Sequence, residues 1–122
     1  MDVLILAGGL SHERDVSIRS GRRVADALRE TGVNAELRDI DVDLIPALRA
    51  LDGTVVWPLL HGATGEDGAV RDVLDLLGVA YVGSQPAACR RAWDKPVAKS
   101  VARDAGLATP DYKVEIMVVA AK

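Results

Sequence analysis

A chain of 122 residues with 49% hydrophobic positions has the size and apolar content of one domain, enough to cover both faces of a small sheet. Its 15 Lys and Arg against 18 Asp and Glu leave a formal charge of −3 with no basic stripe, which argues against nucleic acid as a partner. A lone Cys89 excludes an internal disulfide, and Met1 to Ala7 lacks the basic flank and the length of a signal or spanning segment, so a soluble, cytoplasmic protein with no membrane partner is expected.

Phe is absent, so the core must be built from Val, Leu, Ile and Ala. Val3 to Ala7 is a continuous aliphatic run ending at Gly8-Gly9, the signature of a strand buried on both faces. A helix is predicted from about Arg14 to Thr31, with Val16, Ser20, Val24, Ala27 and Leu28 on its inner face and Gly32 as its stop. Val33 to Asp39 alternates apolar and polar residues, which places a second strand, wet on one side, at the sheet edge. A short helical piece around Asp43 to Leu51 follows.

Thr54 to Leu60 is apolar almost throughout and reads as a central third strand, with regular pairing ending near Pro58 because proline has no N–H to donate. A helix is expected from about Asp67 to Leu77, stopping at Gly78, and then a short fourth strand from Val79 to Val82. A short helix runs through Cys89, and Asp94-Lys95-Pro96 reads as an N-cap and first turn of a helix ending near Gly106. Leu107 to Pro110 is an extended exit, and Tyr112 to Ala120 a further strand.

Strands and helices in alternation predict an α/β fold, a small doubly wound parallel sheet of about four strands in the order 2-1-3-4, flanked by helices. Two units are expected, residues 1–93 as the α/β domain and 94–122 as the start of another. In that order the first and third strands are neighbours with helices on opposite faces. The gap between their carboxyl ends is the switch point at which open α/β sheets bind ligands.

Two glycine loops fall at this switch point. Gly8-Gly9 permits close backbone approach to a ligand before a helix start, although the dinucleotide fingerprint is missing and NAD is disfavoured. Glu13 can hold an ammonium group, its simpler role being an acid beside a helix N-terminus. His61, directly after the third strand, can donate to a carboxylate or carry a proton, although a lone histidine there is more often structural. Glu66 and Asp67 sit where helix-capping acids are common. His12, Glu13, His61 and Glu66 lack the one-turn spacing that would preorganise a metal site, so no metal ligand is assigned.

Taken together, Leu6-Ala7-Gly8-Gly9-Leu10-Ser11-His12-Glu13-Arg14, His61-Gly62 to Glu66-Asp67-Gly68, Tyr81-Val82-Gly83-Ser84, Trp93-Asp94-Lys95 and Gly106 to Pro110 strongly resemble the D-alanine–D-alanine ligases, over nearly all of Met1 to Tyr112. The resemblance implies a Rossmann-like domain preceding an ATP-grasp unit, in a bacterial enzyme of peptidoglycan synthesis. It implies that ATP phosphorylates one D-alanine and the amino group of a second attacks the acyl phosphate. Gly8, Gly9, Glu13 and His61 would then bind substrate, with Glu13 on the first D-alanine's ammonium and His61 near its carboxylate. Ser17 would support Glu13, and Lys95 would face the nucleotide phosphates.

Arg71-Asp72 replaces the family's usual glutamine-glycine pair, Trp93 stands where methionine is common, and Gln85-Pro86 follows Gly83-Ser84. The tail from Glu115 to Lys122 has no counterpart in the resemblance. Family members continue into domains that supply most of the ATP and Mg2+ site, so no ligase activity is expected of these 122 residues alone. A homodimer is implied by the same resemblance. The other readings are a non-catalytic dimerisation or interaction module and another ATP-grasp carboxylate-amine ligase.

Overall fold

The computed structural model describes residues 1–107. They run β1 (Asp2–Leu6), α1 (Arg14–Glu30), β2 (Asn34–Arg38), α2 (Leu44–Arg49), β3 (Val55–Pro58), α3 (Ala63–Glu66), α4 (Ala69–Leu76), α5 (Pro86–Trp93) and α6 (Lys95–Asp104). The strand expected at Tyr112 to Ala120 lies outside the described residues.

β1 is central, parallel to β2 with Val3 opposite Ala35 and Ile5 opposite Leu37, and parallel to β3 with Val3 opposite Val55 and Leu6 opposite Pro58. Its two faces bury different clusters because side chains alternate along a strand. Val3, Ile5 and Ala7 pack with Ala25 of α1 and Ala35 of β2, whereas Leu4 and Leu6 pack with Leu44 and Leu48 of α2, Val56, Leu60, and Val70 and Leu74 of α4. Fully burying a side chain such as Ile5 or Leu6 stabilises the fold by roughly 1.5–3 kcal/mol. Helices thus cover both faces, and the ends of β1 and β3 lie side by side.

The sheet has three strands in the order β2-β1-β3 rather than the four expected. The Val79 to Val82 stretch does come to β3, but makes only one parallel bridge, Tyr81 to Val56, with Val56 N–H donating to Ala80 O at 2.9 Å and Val82 N–H to Val56 O at 2.9 Å. The next donor in such a parallel ladder would be residue 58. Proline has no N–H, so the fourth strand ends after one bridge and Gly83, at φ +117°, turns the chain away.

The inner face of α1 is also rotated from the expected one. Ser17, Gly21 and Ala25 are buried, Val24 and Leu28 flank them, and Val16 is 46% exposed. A Cβ on Gly21 would lie 2.7 Å from Ala7 Cβ and 3.2 Å from Leu37 Cδ2, so the helix sits too close to the sheet for larger residues. Small size, not apolarity, selects the contacting positions.

β2 is an edge strand, as its alternation predicts, whereas β3, expected to be central, is the other edge apart from the Tyr81 bridge, and β1 alone is central. Arg29 caps the outward Ala35 carbonyl of β2 through Nε at 3.0 Å and Nη2 at 2.6 Å, which protects the edge from pairing with another chain. The helix expected from Asp67 to Leu77 is α4, which starts only after Gly68 at φ +97°, and the short α3 ahead of it, within the glycine loop, was not expected. Asp94 caps α6 as expected, accepting from Val97 N–H at 3.1 Å. Among the described residues no helix is long and apolar enough to cross a membrane.

Candidate functional site

Beyond β1 the chain turns through Gly8 at φ +105° and Gly9 at φ +85°, conformations that side chains resist. Buried Ser17 accepts from Gly8 N–H at 2.8 Å and donates to Leu59 O at 2.6 Å. One hydroxyl therefore ties the first loop to the segment that leads into the second. Asp39, at the end of β2, holds the other side of the turn. Its Oδ1 accepts from Gly9 N–H at 2.8 Å and Ile40 N–H at 2.7 Å, its Oδ2 pairs with Arg14, and Arg14 Nη1 donates to Gly9 O at 3.2 Å. Partial burial pushes the Asp39 carboxyl up, but the Gly9, Arg14 and Ile40 hydrogen bonds and the Arg14 charge together hold it below the usual 3.8.

The second loop leaves β3 through buried Leu60 and turns at Gly62, φ +90°. Gly62 N–H donates to Glu66 Oε2 at 3.2 Å, so Glu66 stabilises the start of α3, as its position suggested. His61 Nδ1 lies 3.8 Å from Glu66 Oε1, beyond hydrogen-bond distance. Arg71 Nη1 donates to Gly65 O at 3.0 Å and braces the loop from α4.

The two loops meet. A Cβ on Gly62 would lie 2.6 Å from Ser11 Oγ and 4.0 Å from Glu13 Oε2, so the Glu13 carboxylate reaches the turn that follows His61. Gly8, Gly9, Glu13 and His61 line a single cleft of about 550 Å³. Glu13 begins α1 without capping it through its side chain, which leaves an exposed carboxylate at the cleft. Leu60, Ile40 and Trp93 give the cleft an apolar wall. A carboxylate, an imidazole and glycine backbone facing a small apolar wall suit a small zwitterion whose ammonium pairs with Glu13.

Two residues sit differently from expectation. Ser17 does not line the cleft, and its hydroxyl joins the two loops rather than Glu13. Lys95 is exposed in the first turn of α6 and does not line the cleft either, although its neighbour Trp93 does. Sequence reasoning missed Asp39, gave Ser11 no role beyond its place in the family motif, and set Trp93 beside the site only as a departure from the family pattern. Asp39 had a signal, an acid at the carboxyl end of a strand beside the switch point. Trp93 was reached through the resemblance alone, because nothing in its own neighbourhood shows that α5 returns to the loops. Among the described residues no three His, Cys, Asp or Glu side chains are grouped so as to hold a metal ion.

No family model matches the chain. It is 42% identical over 112 residues to the D-alanine–D-alanine ligase of Anaeromyxobacter sp. (strain K), which covers 92% of this chain and 36% of that relative. It is 45% identical over 109 residues to the D-alanine–D-alanine ligase of Saccharophagus degradans, covering 89% of this chain and 35% of the relative. A crystal structure of D-alanine–D-alanine ligase from Bacillus anthracis complexed with ATP matches at 32% identity and a TM-score of 0.76, over 91% of this chain and 38% of that one. The chain thus spans about a third of the length of the curated relatives it matches, in their N-terminal region. By sequence and by fold, it belongs with the N-terminal region of the D-alanine–D-alanine ligases.

Proposed function

We propose that residues 1–93 form the substrate-binding unit of a D-alanine–D-alanine ligase and that 94–122 open the ATP-grasp unit. In this reading ATP transfers its γ-phosphoryl group to the carboxylate of one D-alanine. The amino group of a second D-alanine attacks the acyl carbon, phosphate leaves, and the dipeptide enters peptidoglycan synthesis. The same reading makes the protein cytoplasmic and homodimeric, both on family likeness.

The observation that supports it best is the approach of the Glu13 carboxylate to Gly62, with Glu13 and His61 on one cleft. Glu13 accepts the ammonium of the first D-alanine. His61, beside Glu66 at the cleft, donates to that substrate's carboxylate and to the phosphorylated form it becomes. Gly8 and Gly9 let backbone approach the substrate without Cβ interference. Ser17 is a positioning residue, holding the turn of one loop to the root of the other. Lys95 is read as the residue facing the nucleotide phosphates, outside the substrate cleft.

Mg2+ does not fit the described residues, which offer no cluster of acids for it, and no step is derived through it. The described part of the chain binds and orients; phosphoryl transfer is assigned to residues outside it.

Comparing D-alanine with N-acetyl-D-alanine in a titration of this chain tests the reading. D-alanine is expected to bind and the acetylated form, which lacks the ammonium, to bind at least about tenfold more weakly. Equal binding of the two would contradict the role of Glu13.

A further inference from the structure

A second groove, sharing no lining residue with the cleft, runs between α1 and the end of β2 and encloses about 490 Å³. Arg14, Ile18, Arg22, Asp26 and Arg29 follow one another along α1 at spacings of four and three and so share one face, which Leu37, Arg38 and Asp39 close from β2. Four arginines thus face two acids, leaving an excess of two positive charges in the lining.

Three of the guanidinium groups are engaged, Arg14 with Asp39, Arg29 with Asp26, and Arg38 with Asp41 just outside the groove. Arg22 has no acid within ion-pair distance among the described residues. A peptide strand is a poor occupant, because Arg29 already covers the outward Ala35 carbonyl that a pairing strand would need. A compact anion suits the groove better. Guanidinium groups stay charged at any physiological pH and offer paired donors that match the oxygens of phosphate.

We propose that this groove binds a phosphate dianion, held by Arg22 with Arg14 and Arg38, and that its occupancy is transmitted to the substrate cleft through Asp39. Arg14 is the link. It pairs with Asp39 and also donates to Gly9 O, while Asp39 accepts from Gly9 N–H and Ile40 N–H. A dianion drawing Arg14 toward Arg22 weakens its grip on Asp39 and on the Gly9 turn, and Gly9 and Ile40 both line the cleft. The site would make the cleft responsive to free phosphate or to a phosphomonoester.

The test is a titration of the 15N-labelled chain with inorganic phosphate, and separately with methyl phosphate, against sodium chloride at matched ionic strength. Saturable shifts of the Gly9 and Ile40 amides with either phosphate, weakened roughly fivefold or more by Arg22→Gln and left unchanged by Arg23→Gln, are expected. Arg23 is exposed on α1 and does not line the groove. Response to methyl phosphate alone would identify a phosphomonoester as the ligand class. Shifts that never saturate, that match those from chloride, or that Arg22→Gln and Arg23→Gln weaken equally, would overturn the proposal.

Discussion

Ser17 donates its hydroxyl proton to the carbonyl of Leu59 at 2.6 Å, across 42 residues of sequence. The same oxygen accepts from Gly8 N–H at 2.8 Å. The two loops are therefore joined at their roots by one buried hydroxyl, while Ser11, Glu13 and Gly62 meet at their tips.

Ser17→Ala should accordingly destabilise the chain by about 1–3 kcal/mol, the cost of leaving a buried polar group without its partner. Urea unfolding of the two proteins checks this. Weaker substrate binding should accompany the loss, because the turn at Gly8 is no longer held to the segment before His61.

Gly62→Ala is expected to destabilise by about 1–3 kcal/mol from the backbone alone, since φ +90° with ψ −179° is a region essentially restricted to glycine. The added methyl also meets Ser11 Oγ. Thermal melts of Gly62→Ala and of Gly62→Ala with Ser11→Gly separate the two contributions: the double variant should recover only the part owed to the collision.

Asp39 predicts a pH dependence. Its folded carboxyl is held below 3.8, and the unfolded value is about 3.9. The folded state thus binds fewer protons than the unfolded one between those values, and stability rises with pH through that window. The contribution is complete above the unfolded value and is lost as pH falls through the folded one. Asp39→Asn should lower stability near neutral pH and flatten the acid limb of a stability profile measured by denaturant unfolding below about pH 4.

Glu13→Gln should weaken D-alanine binding by about tenfold or more, in line with about 1.5–3 kcal/mol for a hydrogen bond to a charged group. The melting temperature should barely change, because the side chain is exposed and caps nothing. Calorimetric titration and a thermal melt of the same sample check both halves.

Much of this was legible in the sequence because hydrophobic runs and glycines report directly on strands and turns. Val3 to Ala7 reads as a strand and is buried, Thr54 to Leu60 is a strand only over Val55–Pro58 and buried at alternate positions, and the glycines at 8, 9 and 62 take the positive φ values that make their turns. The fourth strand misled because Val79 to Val82 is apolar enough to pair, while the missing donor lies on its neighbour at Pro58. The face of α1 misled for another reason. Close packing on the sheet selects Ser17, Gly21 and Ala25 for size, and an apolar stripe does not register that.

Asp39 was hidden because its partners Gly9 and Arg14 are set by tertiary approach. Glu13 and His61 were found from their loops, but that both face one cleft depends on the Ser17 hydroxyl, the Asp39 clamp and the fit of Ser11 against Gly62.

The central claim is that two loops far apart in sequence make one site for D-alanine. Its most direct measurement is an amide-shift titration of the chain with D-alanine, following Gly9 and Glu13 in the first loop and His61 and Gly62 in the second. Shifts in both loops that follow one saturation curve are predicted. Shifts confined to one loop, or two curves with separate midpoints, would contradict it.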